Sequence, residues 1–116
     1  MSQKAGQKCT AVRRILVPRE LEEAATDALV ARLSKVVTGD PSDPRVTMGP
    51  LATAGQLRDA LDGIAELLAT AQLILGTGGR AHGGGVEPGQ GYFLTPTLLR
   101  TEYPFERTPI HWREVF

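Results

Sequence analysis

The chain has 116 residues, with 13 basic and 13 acidic side chains, so its formal net charge is zero. A neutral chain lacks the basic surface typical of nucleic-acid binding, and its single cysteine excludes an internal disulfide or a cysteine-rich zinc site. No apolar run approaches the ~18–20 residues of a membrane span, and the N-terminus has no apolar signal-peptide core. We therefore expect a cytoplasmic protein without nucleic-acid or membrane partners.

The first half of the chain predicts a strand followed by a helix. Residues 10–14 are compatible with one helical turn, and R-I-L-V at 14–17 predicts a short strand that ends at Pro18. Apolar residues then recur at helical spacing over residues 20–37, with acidic side chains in the first turn and Lys35 in the last. D-P-S-D-P at 40–44 cannot continue a helix.

The second half predicts another helix and another strand. Thr53 is a candidate N-cap for a helix whose apolar stripe runs over residues 57–71. Residues 72–75 predict a strand, residues 76–91 a glycine-rich loop, and residues 92–94 and 97–99 extended segments around Pro96. Helices interleaved with short strands indicate an α/β fold. The strands are too few for a complete doubly wound domain, so we expect a partial domain.

Two local patterns are weak candidates for chemistry. G-T-G-G-R-A at 76–81 follows a predicted strand, as in a dinucleotide-binding loop, but no helix can open at the glycines that follow. A flexible connection is the alternative. His111 and Glu114 have the spacing of one helix face, but a metal site needs three or four ligands and the only other histidine is His82. We predict no metal site.

Cys9 is a stronger candidate, although a single cysteine is often only a small buried apolar residue. Glycine and polar residues precede it, which suits a loop that a substrate can approach. A helical turn after Cys9 and the nearby Lys8, Arg13 and Arg14 would favour the thiolate. These features predict a reactive cysteine without naming a reaction, and a redox-sensing cysteine is a further possibility that lacks a resolving partner.

Five motifs in chain order resemble segments of the aldehyde dehydrogenase family. K-A-G-Q-K-C-T-A-V-R-R-I-L-V-P at 4–18 resembles the segment around the family's catalytic cysteine. V-T-G-D-P at 37–41, M-G-P-L at 48–51 and G-Y-F-L-T-P-T-L at 91–98 resemble three further family segments. E-V-F at 114–116 resembles the start of the family's E-x-F-G-P motif. Lys8 and Thr10, the direct neighbours of Cys9, resemble most the residues found in two family branches. These branches oxidise CoA-linked semialdehydes in aerobic phenylacetate and benzoyl-CoA degradation.

The resemblance assigns roles to individual residues. It implies that Cys9 is the nucleophile, which attacks the aldehyde to give a thiohemiacetal and then a thioester. Gly6 and Gln7 are implied to shape the approach of the substrate to the sulfur.

At the other end of the chain, Glu114 takes the position of the glutamate that binds the nicotinamide ribose. Phe116 takes the position of the aromatic residue near the nicotinamide ring. His111 is a weaker substrate-binding candidate, because a histidine three residues before that glutamate fits the CoA-semialdehyde branch.

The resemblance also implies a larger protein. Residues 1–116 would be a fragment of the catalytic domain of an NADP- or NAD-dependent enzyme, whose absent domain binds most of the cofactor. The parent is expected to be a homo-oligomer that oxidises a small aldehyde, with a CoA-linked semialdehyde as the favoured substrate. The isolated chain is expected to be inactive, because the family's general base and oxyanion-hole asparagine lie upstream and this sequence contains no Asn. The alternative is a non-catalytic assembly or regulatory module.

Overall fold

Helix α2, Ala54–Leu67, begins where a local capping signal predicts it. The computed structural model describes residues 3–102 and 112–115. Thr53 caps the helix, since its Oγ1 accepts a hydrogen bond from the N–H of Gln56 at 3.1 Å. One face of α2 is buried through Leu57, Ala60 and Ile64. The predicted N-cap and apolar stripe are thus confirmed, although the helix ends at Leu67, before the stripe does.

The core lies between α2 and the segments that flank it in sequence and space. Leu51, just before the helix, and Leu94 pack with Leu57 and Ala60 in one apolar cluster. The N–H of Leu51 donates to the carbonyl of Tyr92 at 2.8 Å, which joins the two flanking segments. Three partly buried residues from distant parts of the chain pack against this cluster: Ala5, Leu61 and Val115. Both ends of the described chain therefore meet at α2.

Helix α1, Glu22–Leu33, follows a short 3₁₀ helix at Arg19–Leu21. The predicted helix extended to Val37, so the prediction was four residues too long at its C-terminal end. The carbonyl of Val37 instead accepts from the N–H of Met48 at 3.0 Å, and the N–H of Val37 donates to Thr47 Oγ1 at 3.0 Å. Pairing with this distant segment overrides the helical periodicity.

Strands β1, Gln72–Leu75, and β2, Leu98–Arg100, form an antiparallel pair. Gln72 lies opposite Arg100, and the register is irregular between Leu73 and Leu75. The strand predicted at 72–75 is confirmed as β1. Strand β2 is shifted by one residue toward the C-terminus from the extended segment predicted at 97–99. Arg100 Nη1 lies 3.3 Å from Glu22 Oε1, so an ion pair links this small sheet to α1. The two helices and the strand pair confirm the α/β class.

The strand predicted at 14–17 is wrong, as is the helical turn predicted at 10–14. Residues 11–18 have no regular secondary structure, and the turn at Gln3–Gly6 before them is not right-handed helical, since Lys4 and Ala5 have φ angles of 50° and 51°. Ile15 and Leu16 are 42% and 66% exposed. A strand needs a neighbour to satisfy its backbone groups, and no described segment pairs with this one.

The glycine-rich loop forms a connection and no helix opens within residues 76–91. Gly76 and Gly78 have positive φ angles of 99° and 65°, which glycine adopts readily. A dinucleotide-binding loop requires a helix N-terminus at this point, so the structure supports the connection. Within the described residues, no helix is long and apolar enough to cross a membrane.

Candidate functional site

Cys9 lies in an exposed turn near the start of the described chain. The carbonyl of Lys4 accepts from the N–H of Gln7 at 3.0 Å, and the carbonyl of Lys8 accepts from the N–H of Ala11 at 2.9 Å. Two short backbone bonds thus bracket the cysteine, which is a free, exposed thiol. Gly6 supports the first turn with a φ of 80°, as the glycine-bearing approach predicted.

Gln7 attaches this turn to Ala52, two residues before the start of α2. Its side-chain Oε1 accepts a hydrogen bond from the backbone N–H of Ala52 at 3.2 Å. Ala5 packs against the apolar cluster nearby. The Cys9 segment comprises residues 4–18. Its part before Cys9 is attached to the core through Gln7 and Ala5. No helix begins directly after Cys9, since the next helical residues are Arg19–Leu21.

Arg13 connects the Cys9 segment to Glu114. Arg13 Nη2 lies 2.8 Å from Glu114 Oε1, and Arg13 Nη1 donates to the carbonyl of Ala11 at 3.3 Å. The Arg13 side chain is 25% exposed and that of Glu114 is 63% exposed. The guanidinium thus spans from the backbone of the cysteine turn to the carboxylate, and two sequence-predicted site residues come to one region of the molecule.

A second contact joins the same two parts of the chain. Trp112, in the return segment of residues 112–115, carries the guanidinium of Arg14 over its ring, 5.9 Å from the centroid. Neighbouring arginines of the Cys9 segment therefore contact alternate residues of the return segment.

The other two residues of the return segment contact α2. Arg113 forms an ion pair with Glu66, and this hydrogen bond raises the pKa of the guanidinium. Val115 packs over Gly63 so closely that a Cβ on that glycine would lie 2.5 Å from Val115 Cγ2. The return segment is thus fixed between the Cys9 segment and α2.

An open cleft of about 280 Å³ lies beside Glu114. Its lining residues are Asp59, Ala60, Arg113, Glu114 and Val115. A carboxylate has several lone-pair sites, so pairing with one arginine leaves acceptors for hydroxyl groups. The Glu114 side chain is 63% exposed, so these acceptor sites are accessible to a ligand. The residue type and its exposure fit the ribose of a nicotinamide cofactor.

The remaining sequence predictions concern His111, Phe116 and the question of a metal site. His111 and Phe116 lie outside the described residues. Among residues 3–102 and 112–115, no group of three or more His, Cys, Asp or Glu side chains is arranged to hold a metal ion. Sequence reasoning named Arg13 and Arg14 only as charges near the thiol and missed their contacts with residues 112–115, because no local signal reports a pairing between the two ends of a chain.

Comparison with known proteins identifies the family. The model of the aldehyde dehydrogenase family matches residues 1–116. The chain is 33% identical over 116 residues to 3,4-dehydroadipyl-CoA semialdehyde dehydrogenase of Aromatoleum evansii, an alignment that covers 100% of this chain and 22% of the relative. It is 32% identical over 97 residues to succinate-semialdehyde dehydrogenase [NADP(+)] 1 of Mycobacterium ulcerans, covering 84% of this chain and 20% of that relative.

Solved structures show the same relationship. The 1-pyrroline-5-carboxylate dehydrogenase from Thermus with bound NAD superposes with a TM-score of 0.76 at 30% identity, over 94% of this chain and 19% of that one. The chain thus spans about a fifth of the length of the relatives that it matches. The family predicted from the five motifs is confirmed: this chain belongs to the aldehyde dehydrogenase family.

Proposed function

We propose that residues 1–116 form the part of an aldehyde dehydrogenase catalytic domain that carries the nucleophile, Cys9, and a cofactor-binding carboxylate, Glu114. The observation that supports this most directly is the Arg13–Glu114 ion pair of 2.8 Å, because it brings the carboxylate to the segment that holds the exposed thiol. Membership of the family supplies the reaction class.

Cys9 performs the covalent chemistry in this proposal. Its thiolate attacks the carbonyl carbon of the aldehyde, a C–S bond forms, and the carbonyl electron pair moves to oxygen. The backbone N–H of Cys9 donates to that oxygen and stabilises the negative charge. Loss of hydride leaves a thioester, and water then breaks the C–S bond, which releases the acid and regenerates the thiol. An exposed cysteine is accessible to both the aldehyde and the water.

Glu114 orients the cofactor. When bound, NADP or NAD accepts the hydride that leaves the thiohemiacetal carbon. The Glu114 carboxylate would accept hydrogen bonds from the ribose hydroxyls of a cofactor bound at the adjoining cleft of about 280 Å³. By its resemblance to the family's E-x-F motif, Phe116 is proposed as the aromatic residue beside the nicotinamide ring.

We propose a CoA-linked semialdehyde as the substrate, with Gly6, Gln7 and His111 at the approach to the sulfur. Support comes from the amino-acid sequence of residues 4–18 and from a relative named for a CoA-linked semialdehyde. Either nucleotide is compatible with the proposal, because one relative is named for NADP(+) and one solved structure contains NAD. We place the full-length enzyme in the cytoplasm as a homo-oligomer, and the exposed apolar residues of the Cys9 segment are consistent with burial against further chain.

The 116 residues alone are proposed to be inactive. They contain no Asn for the family's oxyanion hole, and they span 22% of the length of the relative from Aromatoleum. Reduction of NADP or NAD by this chain in the presence of an aldehyde would contradict this part of the proposal.

Cys9→Ala in the full-length enzyme tests the nucleophile. We expect aldehyde oxidation to fall by a factor of about 10³ or more, because no thioester forms. The melting temperature should change little, because the substitution removes a single sulfur atom. An enzyme that keeps its activity would remove Cys9 from the role of nucleophile. Thr10→Ala, next to the cysteine and also exposed, is the matched control.

A further inference from the structure

Two contacts of Arg13 reach in different directions. One terminal nitrogen lies 2.8 Å from Glu114 Oε1, and the other donates to the carbonyl of Ala11 at 3.3 Å. Ala11 itself closes the turn that contains Cys9, through its N–H bond to the carbonyl of Lys8. The guanidinium is therefore a rigid link between the cysteine turn and the carboxylate.

Glu114 needs such a link because little else restrains its side chain. The carboxylate is 63% exposed, whereas the residues on either side of it are fixed by contacts with α2. An exposed glutamate samples several rotamers, and only some of them present its oxygens to the cleft. Holding one oxygen on Arg13 selects among these rotamers before a ligand arrives.

We infer that Arg13 is a positioning residue for cofactor binding: it fixes the Glu114 carboxylate relative to the turn that carries Cys9. This inference rests on the proposed function, since it requires Glu114 to bind the ribose. Arg13 touches neither the reacting atoms nor the substrate in this scheme, and its effect on cofactor binding passes through Glu114. A substitution of Arg13 should therefore change the KM for the cofactor and leave the reactivity of Cys9 toward an alkylating reagent unchanged.

The test compares four variants of the full-length enzyme: Glu114→Gln, Arg13→Gln, Arg13→Lys and the double variant Arg13→Gln/Glu114→Gln. The measurements are the KM for NADP or NAD, kcat, the rate of iodoacetamide reaction with Cys9 and the melting temperature. Arg45→Gln is the matched control, because Arg45 forms an exposed pair with Asp43 in another part of the chain.

Glu114→Gln should raise the cofactor KM about tenfold, as expected for loss of a charged hydrogen-bond acceptor. Arg13→Gln should raise it about two- to fivefold, in the range of an exposed ion pair, with an unchanged alkylation rate. Arg13→Lys should have an intermediate KM, since one ammonium group does not reproduce the two-armed contact. The double variant should match Glu114→Gln, because Arg13 then has no carboxylate to position.

Each other outcome has a definite meaning. If Glu114→Gln leaves the KM unchanged, the cofactor role in the proposed function fails, and the positioning role fails with it. If Glu114→Gln raises the KM but Arg13→Gln does not, only the positioning role is overturned. Effects that add fully in the double variant also overturn it. If Arg13→Gln does not fold, Arg13→Lys decides: a raised KM at a melting temperature within about 2 °C of the parent supports the inference, and an unchanged KM overturns it.

Discussion

The Cys9 segment and helix α2 reach their conformations by opposite means. Helix α2 is specified by its own sequence, with a capping threonine and a buried apolar face. The Cys9 segment has little of either kind of support. Val12 and Leu16 are 53% and 66% exposed, and the segment is fixed by a glutamine–backbone bond and by arginine contacts to the return segment.

This difference separates stability from chemistry. Burial around α2 contributes to the folding free energy of this chain, because buried apolar area stabilises the folded state. The candidate nucleophile lies in the region that contributes least to that burial. Local order at functional sites is often lower than in the core, since binding segments must remain accessible. Substitutions in the two regions should therefore have different consequences, and an ion pair remote from both provides a reference for the size of the effects.

The largest difference should appear between Phe93→Ala and Leu16→Ala. Phe93 is 2% exposed, and its ring covers Gly83, whose added Cβ would lie 2.5 Å from Phe93 Cε2. We expect Phe93→Ala to lower the free energy of unfolding by about 3–5 kcal/mol. Leu16→Ala should change it by less than about 0.5 kcal/mol. Urea unfolding of the 116-residue chain measures both, and equal losses would show that residues 11–18 are buried in solution.

A smaller effect is expected within α2 itself, from Gly63→Ala. Alanine favours a helix over glycine, yet Val115 occupies the space that the new Cβ requires, at 2.5 Å. Overpacking should cost about 1–3 kcal/mol and displace the return segment. The fluorescence of Trp112, the chain's single tryptophan, should change as its contact with Arg14 loosens.

Gly55→Ala is the control for that substitution. A Cβ at Gly55 would find its nearest neighbours at 3.7 and 3.8 Å, which is ordinary contact. Gly55→Ala should therefore stabilise the chain by about 0.5 kcal/mol and leave the Trp112 emission unchanged. Stabilisation by both alanines would mean that Val115 does not pack on α2.

The smallest effect concerns an ion pair remote from both regions. Arg45 Nη2 lies 2.7 Å from Asp43 Oδ2, and this hydrogen bond lowers the pKa of the Asp43 carboxyl. Since the folded pKa is below the unfolded value of about 3.9, the contribution is present above that pH and is lost as the pH falls through the folded pKa. Arg45→Gln should thus lower the urea midpoint slightly at pH 7, and the difference should disappear on acidification. A difference that does not shrink as the pH falls below about 3.9 would contradict this assignment.

Elements that depend on local signals could be predicted from the sequence. The cap at Thr53 and the periodic apolar residues after it act within α2, and the β-forming run 72–75 lies next to clear turn residues. The run 14–17 carries an equally strong local preference, yet it forms no strand within the described chain. Strand propensity is realised only where a neighbour supplies hydrogen bonds, and that neighbour is not encoded locally.

The candidate site divides in the same way. Cys9, Gln7 and Glu114 could be chosen from motifs, because each stands in a short recognisable string. The bond from Gln7 to Ala52 and the pair between Arg13 and Glu114 join residues far apart in sequence. Such pairings follow from how α2 and the core bring the segments together, so periodicity and composition do not reveal them.

The alternating contacts of the return segment make its length as important as its composition. Trp112 and Glu114 face the Cys9 segment, whereas Arg113 and Val115 contact α2. Inserting or deleting one residue here would exchange the two sets, placing an acid toward Glu66 and a cation toward Arg13 or Arg14. Each exchange turns attraction into repulsion. Homologous chains should thus keep the number of residues in this segment constant.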